Sequence, residues 1–304
     1  MNILFLNHKQ KQCGVYQYGL RTFNILSKST KYKFLYAEVE NEDEYYAVLR
    51  QISFQGVIYN YHNLTMAWLG RRHLNPNIKH YGLHHEGSKP THIGFNYFLH
   101  IDSTFADKDN EYALPRPLFE NKNWSKEGFP HIPIVSSFGF GFGHKGFGSV
   151  VKMANDQFDE AIVRLHIPRA YYGDRNGEAT AGVVPGCMAE VKKPGIKLEI
   201  THDFLDDQQL LHFLSESDVN VFLYHETHNT GLSSVIDYAL SVPVPIAVNK
   251  TSMFRHIALP EICVENKTLP EIINQGSGVL DVFRDAWSNA NFIRRYEDIL
   301  DKTL

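Results

Sequence analysis

Cysteine is scarce. Cys13, Cys187 and Cys263 lie far apart in 304 residues, and no two form a C-x-x-C pair. That spacing offers no disulfide framework and no thiolate zinc site; it fits reduced thiols in a cytoplasmic protein. Long apolar runs are missing too. Nothing approaches the ~18–20 continuous apolar residues of a membrane span. The opening "MNILFLNHKQ" has no basic stretch ahead of its short apolar run, so it reads as a first strand and not as a signal peptide. Docking to a membrane surface stays open. An excess of positive charge is also lacking. A net charge of −4 with His neutral speaks against a generally basic nucleic-acid binder. Histidines number sixteen, yet no H-E-x-x-H or similar spacing joins them into a metal site.

What is present is core-forming. Hydrophobic residues make up 43% and aromatics 13%, enough for a packed protein of this length with two domains. "NILFLNH", "YKFLYAEV" and "GVIYNYH" read as buried strands, with "CGVYQYGLRTFNILSKS" and "EDEYYAVLRQI" as helices between them. "LTMAWLGRRHL" reads as a further helix and "IKHYGLHHEG" as strand and loop. This alternation predicts a doubly wound parallel sheet, here residues 1–125. The stretch around Pro115, Pro117, Pro130 and Pro133 breaks the rhythm and reads as a linker. A second α/β series follows over 126–285: "IPIVSSFGF", "EAIVRLHI", "IKLEITHDF", "VNVFLYHE" and "VPIAV" as strands. Residues 286–304 read as a C-terminal helix with apolar positions at Phe292, Tyr296 and Leu300.

Five segments carry chemistry. In "FGFGFGHKGFG", Gly139, Gly141, Gly143 and Gly146 free the backbone to approach a ligand, Lys145 adds charge, and a helix N-terminus behind the loop favours anions. No Ser or Thr follows the lysine, so this is not a Walker A loop; the plain alternative is a tight turn with stacked aromatics. Gly14 opens a helix at the end of the first strand, where open α/β sheets bind ligands. His84 and His85, beside Glu86, stand after a strand and suit orienting a hydroxyl or sharing a proton, unless the loop is merely solvated. His202 and Phe204 sit where a nucleobase would stack, with Asp206 or Asp207 capping the next helix. In "TGLSSVIDYALSVPVPIAV", a helix starting near Gly231 would present Ser233, Ser234, Asp237 and Ser241 as one polar stripe.

On these segments the chain resembles the GT-B glycosyltransferases, specifically the large retaining, nucleotide-sugar-dependent group. "CGVYQYGLRTFNIL" looks like the family's glycine loop and first helix. "SFGFGFGHKGF" looks like its donor-phosphate site, with Lys145 at the phosphate-binding lysine. "FLSESDVNVFLYHETHNTGLSSVIDYALSVPVPIAV" looks like its acidic helix and Pro-led strand. The resemblance implies two Rossmann-like domains facing across a cleft and a C-terminal helix that crosses back to the first. Two departures stand out. The family's arginine, five residues before the lysine, is Phe140 here. Its glutamate pair corresponds to Asn229 and Asp237, so the first acid is an amide and the second is shortened. By resemblance Asp237 takes the donor ribose, Asn229 or nearby Glu226 contacts the sugar, and Arg164 or His166 makes up the lost charge.

The expectation is therefore a glycosyltransferase that moves a sugar from a nucleotide-diphosphate donor to a glycan, lipid-linked or small-molecule acceptor. The reaction is metal-independent and needs no cofactor, because lysine and helix dipoles neutralise the leaving group; retention is implied by the resemblance alone. His84, His85, Asn229 and Glu226 are the candidate reacting-centre residues. The alternatives are an inactive GT-B scaffold, a sugar-nucleotide epimerase, and a transferase acting on modified DNA.

Overall fold

The structure is a computed structural model that describes residues 1–85, 89–120, 132–227 and 231–304. The chain divides into two compact units. Unit 1 comprises Met1–Pro117, Asn229–Leu232 and Ala286–Leu304; unit 2 comprises Leu118–His228 and Ser233–Asp285.

Unit 1 begins with β1 (Asn2–Asn7), α1 (Gly14–Leu26), β2 (Lys33–Glu38), α2 (Glu42–Gln51), β3 (Gly56–Tyr61) and β4 (Lys79–His84), then β5 (Tyr97–His100) and β6 (Glu111–Ala113). The six strands lie in the order β2-β1-β3-β4-β5-β6, all parallel. Because both sheet faces are covered, the central strands β1 and β3 are buried almost throughout, and side-chain alternation sorts their residues. Ile3, Phe5 and Ile58 go to one core with α1, while Leu4, Leu6, Val57 and Tyr59 go to the other. The expected helix in "LTMAWLGRRHL" does not form. That stretch turns instead, with a single 3₁₀ turn at Arg71–His73, because His73 Nδ1 accepts the Gly70 N–H at 2.8 Å and Met66 and Leu69 bury as separate anchors.

Unit 2 runs β7 (Ile134–Phe138), α3 (Phe147–Gln157), β8 (Ala161–His166), α4 (Glu178–Ala189), β9 (Ile196–Thr201), α5 (Asp207–Ser215), β10 (Val219–Phe222), α6 (Val235–Leu240), β11 (Ile246–Val248), α7 (Leu269–Gln275) and α8 (Asp281–Ala286). Its parallel sheet has the order β11-β10-β7-β8-β9. The last helix, α9 (Asn289–Thr303), belongs to unit 1. There Phe292, Tyr296, Ile299 and Leu300, spaced three and four apart, bury against α1 and the sheet. Among the described residues, no helix is long and apolar enough to cross a membrane.

Both sheets reverse direction beside their first strand: β1 lies between β2 and β3, and β7 between β10 and β8. Crevices at the carboxyl ends of such switch points are where open α/β sheets take ligands. In unit 1 the crevice depends on one glycine. A Cβ at Gly19 would fall 2.2 Å from Asn60 Nδ2 and 2.9 Å from Asn7 Nδ2, so only glycine lets α1 lie this close to the ends of β1 and β3. Gly19→Ala should cost about 2–4 kcal/mol by breaking a buried amide network. A lowered urea midpoint checks this, with Gly143→Ala, whose Cβ meets nothing within 4 Å, as a near-neutral control.

Candidate anion site at the unit 2 switch point

After β7 the chain makes a series of glycine-dependent contacts. Gly139 has φ +149, and its N–H donates to the His166 carbonyl at 3.1 Å. A Cβ at Gly141 would lie 2.4 Å from Thr180 Cα, where α4 begins. Gly146 has φ +64, and a Cβ there would stand 1.7 Å from the Leu223 carbonyl oxygen. Gly143 has open space and is exposed. The four glycines singled out by sequence thus split in role: Gly141 and Gly146 are required by packing, Gly139 by its φ, and Gly143 by neither. The 3₁₀ turn Gly143–Lys145 leads directly into α3.

The electrostatics of this corner are positive. No side chain caps α3 at its N-cap, Gly146, and its first turn holds no acid, so the first N–H groups and the helix dipole remain available to an anion. By contrast α5 is closed by Asp206 in a capping box with Gln209, and Asp174 takes the Ala179 and Thr180 N–H groups at the start of α4. Lys145 is half-buried, and among the described residues no carboxylate pairs with it. Burial pushes its ammonium down to about 7. Its Nζ stands 4.2 Å from the centroid of the Tyr224 ring. Tyr224 is buried at the end of β10; its hydroxyl accepts from Ser233 Oγ at 3.1 Å, and its carbonyl accepts from Asn249 Nδ2 at 2.8 Å. The His225 N–H donates to the His144 carbonyl at 2.8 Å and ties the lysine turn to the β10 loop. Tyr224 was not singled out from sequence; its signal was the aromatic that ends an apolar strand run.

Other expected residues lie elsewhere or do other work. Arg164 points to α5: Nη1 bonds Glu216 at 3.1 Å, Nε is 3.9 Å from Glu199, and the guanidinium stacks on Phe213 at 4.7 Å. Its charge is spent there, which corrects the reading that it replaces the missing arginine. His166 is buried, with Nδ1 2.8 Å from Thr201 Oγ1. Desolvation pulls it down to about 4, so it is neutral and supplies no charge either. His202 and Phe204 stand exposed after β9, with His202 Nδ1 2.9 Å from the Ile167 carbonyl and Phe204 40% exposed. That leaves an open ring at the sheet's carboxyl edge. Glu226 is exposed and accepts from the Ser252 hydroxyl and N–H, which hold its carboxyl below the usual range.

The opening of α6 differs from expectation. The helix starts at Val235, not near Gly231; the Ser233 N–H donates instead to the Met253 carbonyl at 3.2 Å. Gly231 therefore stands outside the helix and offers no helix N-terminus. The polar stripe is not wet: Ser233, Asp237 and Ser241 are buried, and Ser234 is partly so. Ser241 Oγ donates to the Asp237 carbonyl at 2.6 Å and accepts the Phe119 N–H at 2.9 Å. Asn229 and Glu86 lie outside the described residues.

In unit 1, Gly14 is the first residue of α1, whose N-cap Cys13 makes no side-chain cap. Asn60 Nδ2 donates to Asn7 Oδ1 at 2.8 Å and to the Val15 carbonyl at 2.7 Å, while Asn60 Oδ1 meets His85 Nε2 at 2.6 Å. His84 is buried; its Nε2 has no hydrogen-bond partner among the described residues, and its ring stands edge-on to His100, whose Nε2 meets Glu111 at 2.8 Å. Burial, then His100, brings His84 down to about 4; burial, then His62, takes His85 well below its usual value. Both are neutral at pH 7 and weak bases, so they suit hydrogen bonding better than proton abstraction. His8, His62, His84 and His100 all stand at or just past the ends of neighbouring strands. That row was legible only strand by strand.

No protein-family model matches the sequence, and no curated protein matches it by sequence. Solved structures do match over the whole chain. The glycosyltransferase AviGT4, involved in avilamycin A biosynthesis, superposes with a TM-score of 0.69 at 12% identity, covering 99% of this chain and 97% of its own. HepE from Anabaena, solved with UDP and glucose, gives 0.68 at 8% identity, covering 99% and 100%. The lipopolysaccharide outer core galactosyltransferase WaaB gives 0.67 at 10% identity, covering 100% of each chain. The fold is GT-B, as the sequence resemblance implied.

Two outcomes follow. Lys145 holds its proton less tightly folded, near 7, than unfolded, near 10.5. Its stability penalty is therefore full below pH 7 and relieved as pH rises toward 10.5. Lys145→Met should raise the melting temperature of unit 2 at pH 7 by a few degrees, about 2–4 °C per kcal/mol, and flatten its rise between pH 7 and 9.5. The buried neutral histidines act in a lower window. His84 and His166 bind protons near 4 when folded and near 6.5 when unfolded, so stability is lost as pH falls from 6.5 toward 4. His84→Gln should shift the acid-unfolding midpoint downward in a fluorescence titration.

Proposed function

We propose that this chain is a glycosyltransferase that takes a nucleotide-diphosphate sugar as donor and transfers the sugar to a glycan, lipid-linked or small-molecule acceptor. One observation carries the reading: a half-buried lysine with no carboxylate partner stands on a glycine-built turn, at the uncapped start of α3, beside the switch point of a GT-B donor-side sheet. Lys145 and the backbone N–H groups of the loop meet the diphosphate. When the bond between anomeric carbon and diphosphate oxygen breaks, the electron pair stays with the diphosphate, and these groups take up the developing charge without a metal ion. Phe204 offers a face to the base, and Asp237, buried in α6, stays the acid that the resemblance assigns to the ribose. Asn229 or Glu226 contacts the sugar. Among the described residues, no group of three His, Cys, Asp or Glu side chains is arranged to hold a metal. The acceptor is assigned to the strand ends of unit 1, where His85, held by Asn60 Oδ1 at 2.6 Å, orients a hydroxyl.

Phe140, in place of the family's arginine, favours a second reading: a GT-B protein that binds a nucleotide sugar and no longer transfers it. A product assay separates the two, since only a transferase releases nucleoside diphosphate in step with a new glycoside.

The first test is a thermal-shift screen against UDP, GDP, ADP, CMP and their sugar conjugates. UDP comes first, because HepE was solved with it. A ligand at 100 times its dissociation constant adds about 2.7 kcal/mol, a shift of several degrees. The expected result is one nucleotide that stabilises wild type and fails with Lys145→Ala, with a smaller loss in Asp237→Asn. Stabilisation by none of them, with folded protein, sinks the donor-site reading.

A further inference from the structure

We infer that the ring face of Tyr224 is the positioning element for Lys145, with Ser233 locking that ring in place; this rests on the reading of the glycine turn as a diphosphate site. A half-buried ammonium needs a partner that holds it. A carboxylate would do so, but it would cancel the charge and occupy the donors that a phosphate must take. An aromatic face attracts the cation through its quadrupole and leaves the N–H groups free. The geometry fits that division: Lys145 Nζ is 4.2 Å from the Tyr224 centroid, and among the described residues no acid competes.

Tyr224 is held at three points, two on its ring and one on its backbone. Ser233 Oγ donates to its hydroxyl at 3.1 Å. Asn249 Nδ2 holds its carbonyl at 2.8 Å. Phe254 packs on it with centroids 4.7 Å apart. The same backbone run presses on the turn: the Leu223 carbonyl fills the space a Cβ at Gly146 would need, and the His225 N–H binds the His144 carbonyl at 2.8 Å. One residue at the end of β10 thereby links the lysine turn after β7 to the Ser233 turn before α6. Movement of either turn would shift the ammonium.

The test uses full-length protein and inorganic pyrophosphate, which needs no choice of base, by titration calorimetry. Tyr224→Phe keeps the face and loses the Ser233 bond; mono-, di- and trifluorinated phenylalanine at the same position then drain the face of electron density at nearly constant shape. Across that series affinity should fall stepwise, by about three- to tenfold in total. A merely structural ring would not respond to fluorination. A flat series with intact binding overturns the role of Tyr224 and leaves the anion site standing. No binding by wild type, or binding unchanged in Lys145→Met, overturns the anion site and this inference with it. If the Phe variant does not fold, fluorotyrosines at 224 keep the hydroxyl and give the same comparison.

Discussion

Close approach of a glycine to the groups at the carboxyl edge of its sheet, side-chain amides in unit 1 and a backbone carbonyl in unit 2, is the constraint on which both units rest. A helix can begin against the carboxyl edge of a parallel sheet only where no Cβ intervenes. In unit 1, Gly19 meets that need against Asn60 and Asn7; in unit 2, Gly146 does so against the Leu223 carbonyl. Both contacts lie at a strand switch point, so the residues that let each unit close also shape its crevice. Neither α1 nor α3 has a side chain capping its N-terminus. At α3 that leaves the first N–H groups of the unit 2 crevice unspent, which is the electrostatic condition for anion binding.

The two crevices are furnished differently. That of unit 1 is polar: asparagines bonded to each other and to backbone carbonyls, and histidines whose protons burial drives off. Such a surface recognises hydroxyls by geometry. That of unit 2 holds a cation that burial disfavours and no carboxylate relieves. The contrast arises within each unit from its own residues, and it is what the proposed division between a hydroxyl-bearing acceptor and a phosphate-bearing donor rests on.

Much of the fold was legible because parallel strands buried on both faces appear as short apolar runs, and "NILFLNH", "GVIYNYH" and "IVSSFGF" were such runs. β5 and β6 were missed; at four and three residues they carry too little pattern. α4 was missed because "EATAGVVPGCMA" has two internal glycines and a proline and no apolar stripe; Asp174 bonding the first N–H groups stands in for the absent periodicity. At the site, Lys145 and its glycines were legible from spacing. Gly14 was chosen where Gly19 is the glycine the packing requires, since a close approach to Asn60, far away in sequence, leaves no local mark. Arg164 looked available in sequence because its partners, Glu199 and Glu216, come from β9 and the end of α5.

Phe140 stands where the resembled glycosyltransferases carry an arginine, and that bears on how the lysine is held. Two neighbouring cations would repel, and each would need some compensation from the protein. With a single cation at the turn, a neutral support suffices, and a ring face is the support that costs the least charge. The same economy accounts for the buried setting. In water an ammonium attracts a phosphate weakly; in a partly desolvated corner the attraction is several times stronger. The penalty falls on the empty protein, as a lysine that gives up its proton near neutral pH. A phosphate arriving at the turn would restore the charged form, so the instability of the free site and the strength of the occupied one have the same physical origin.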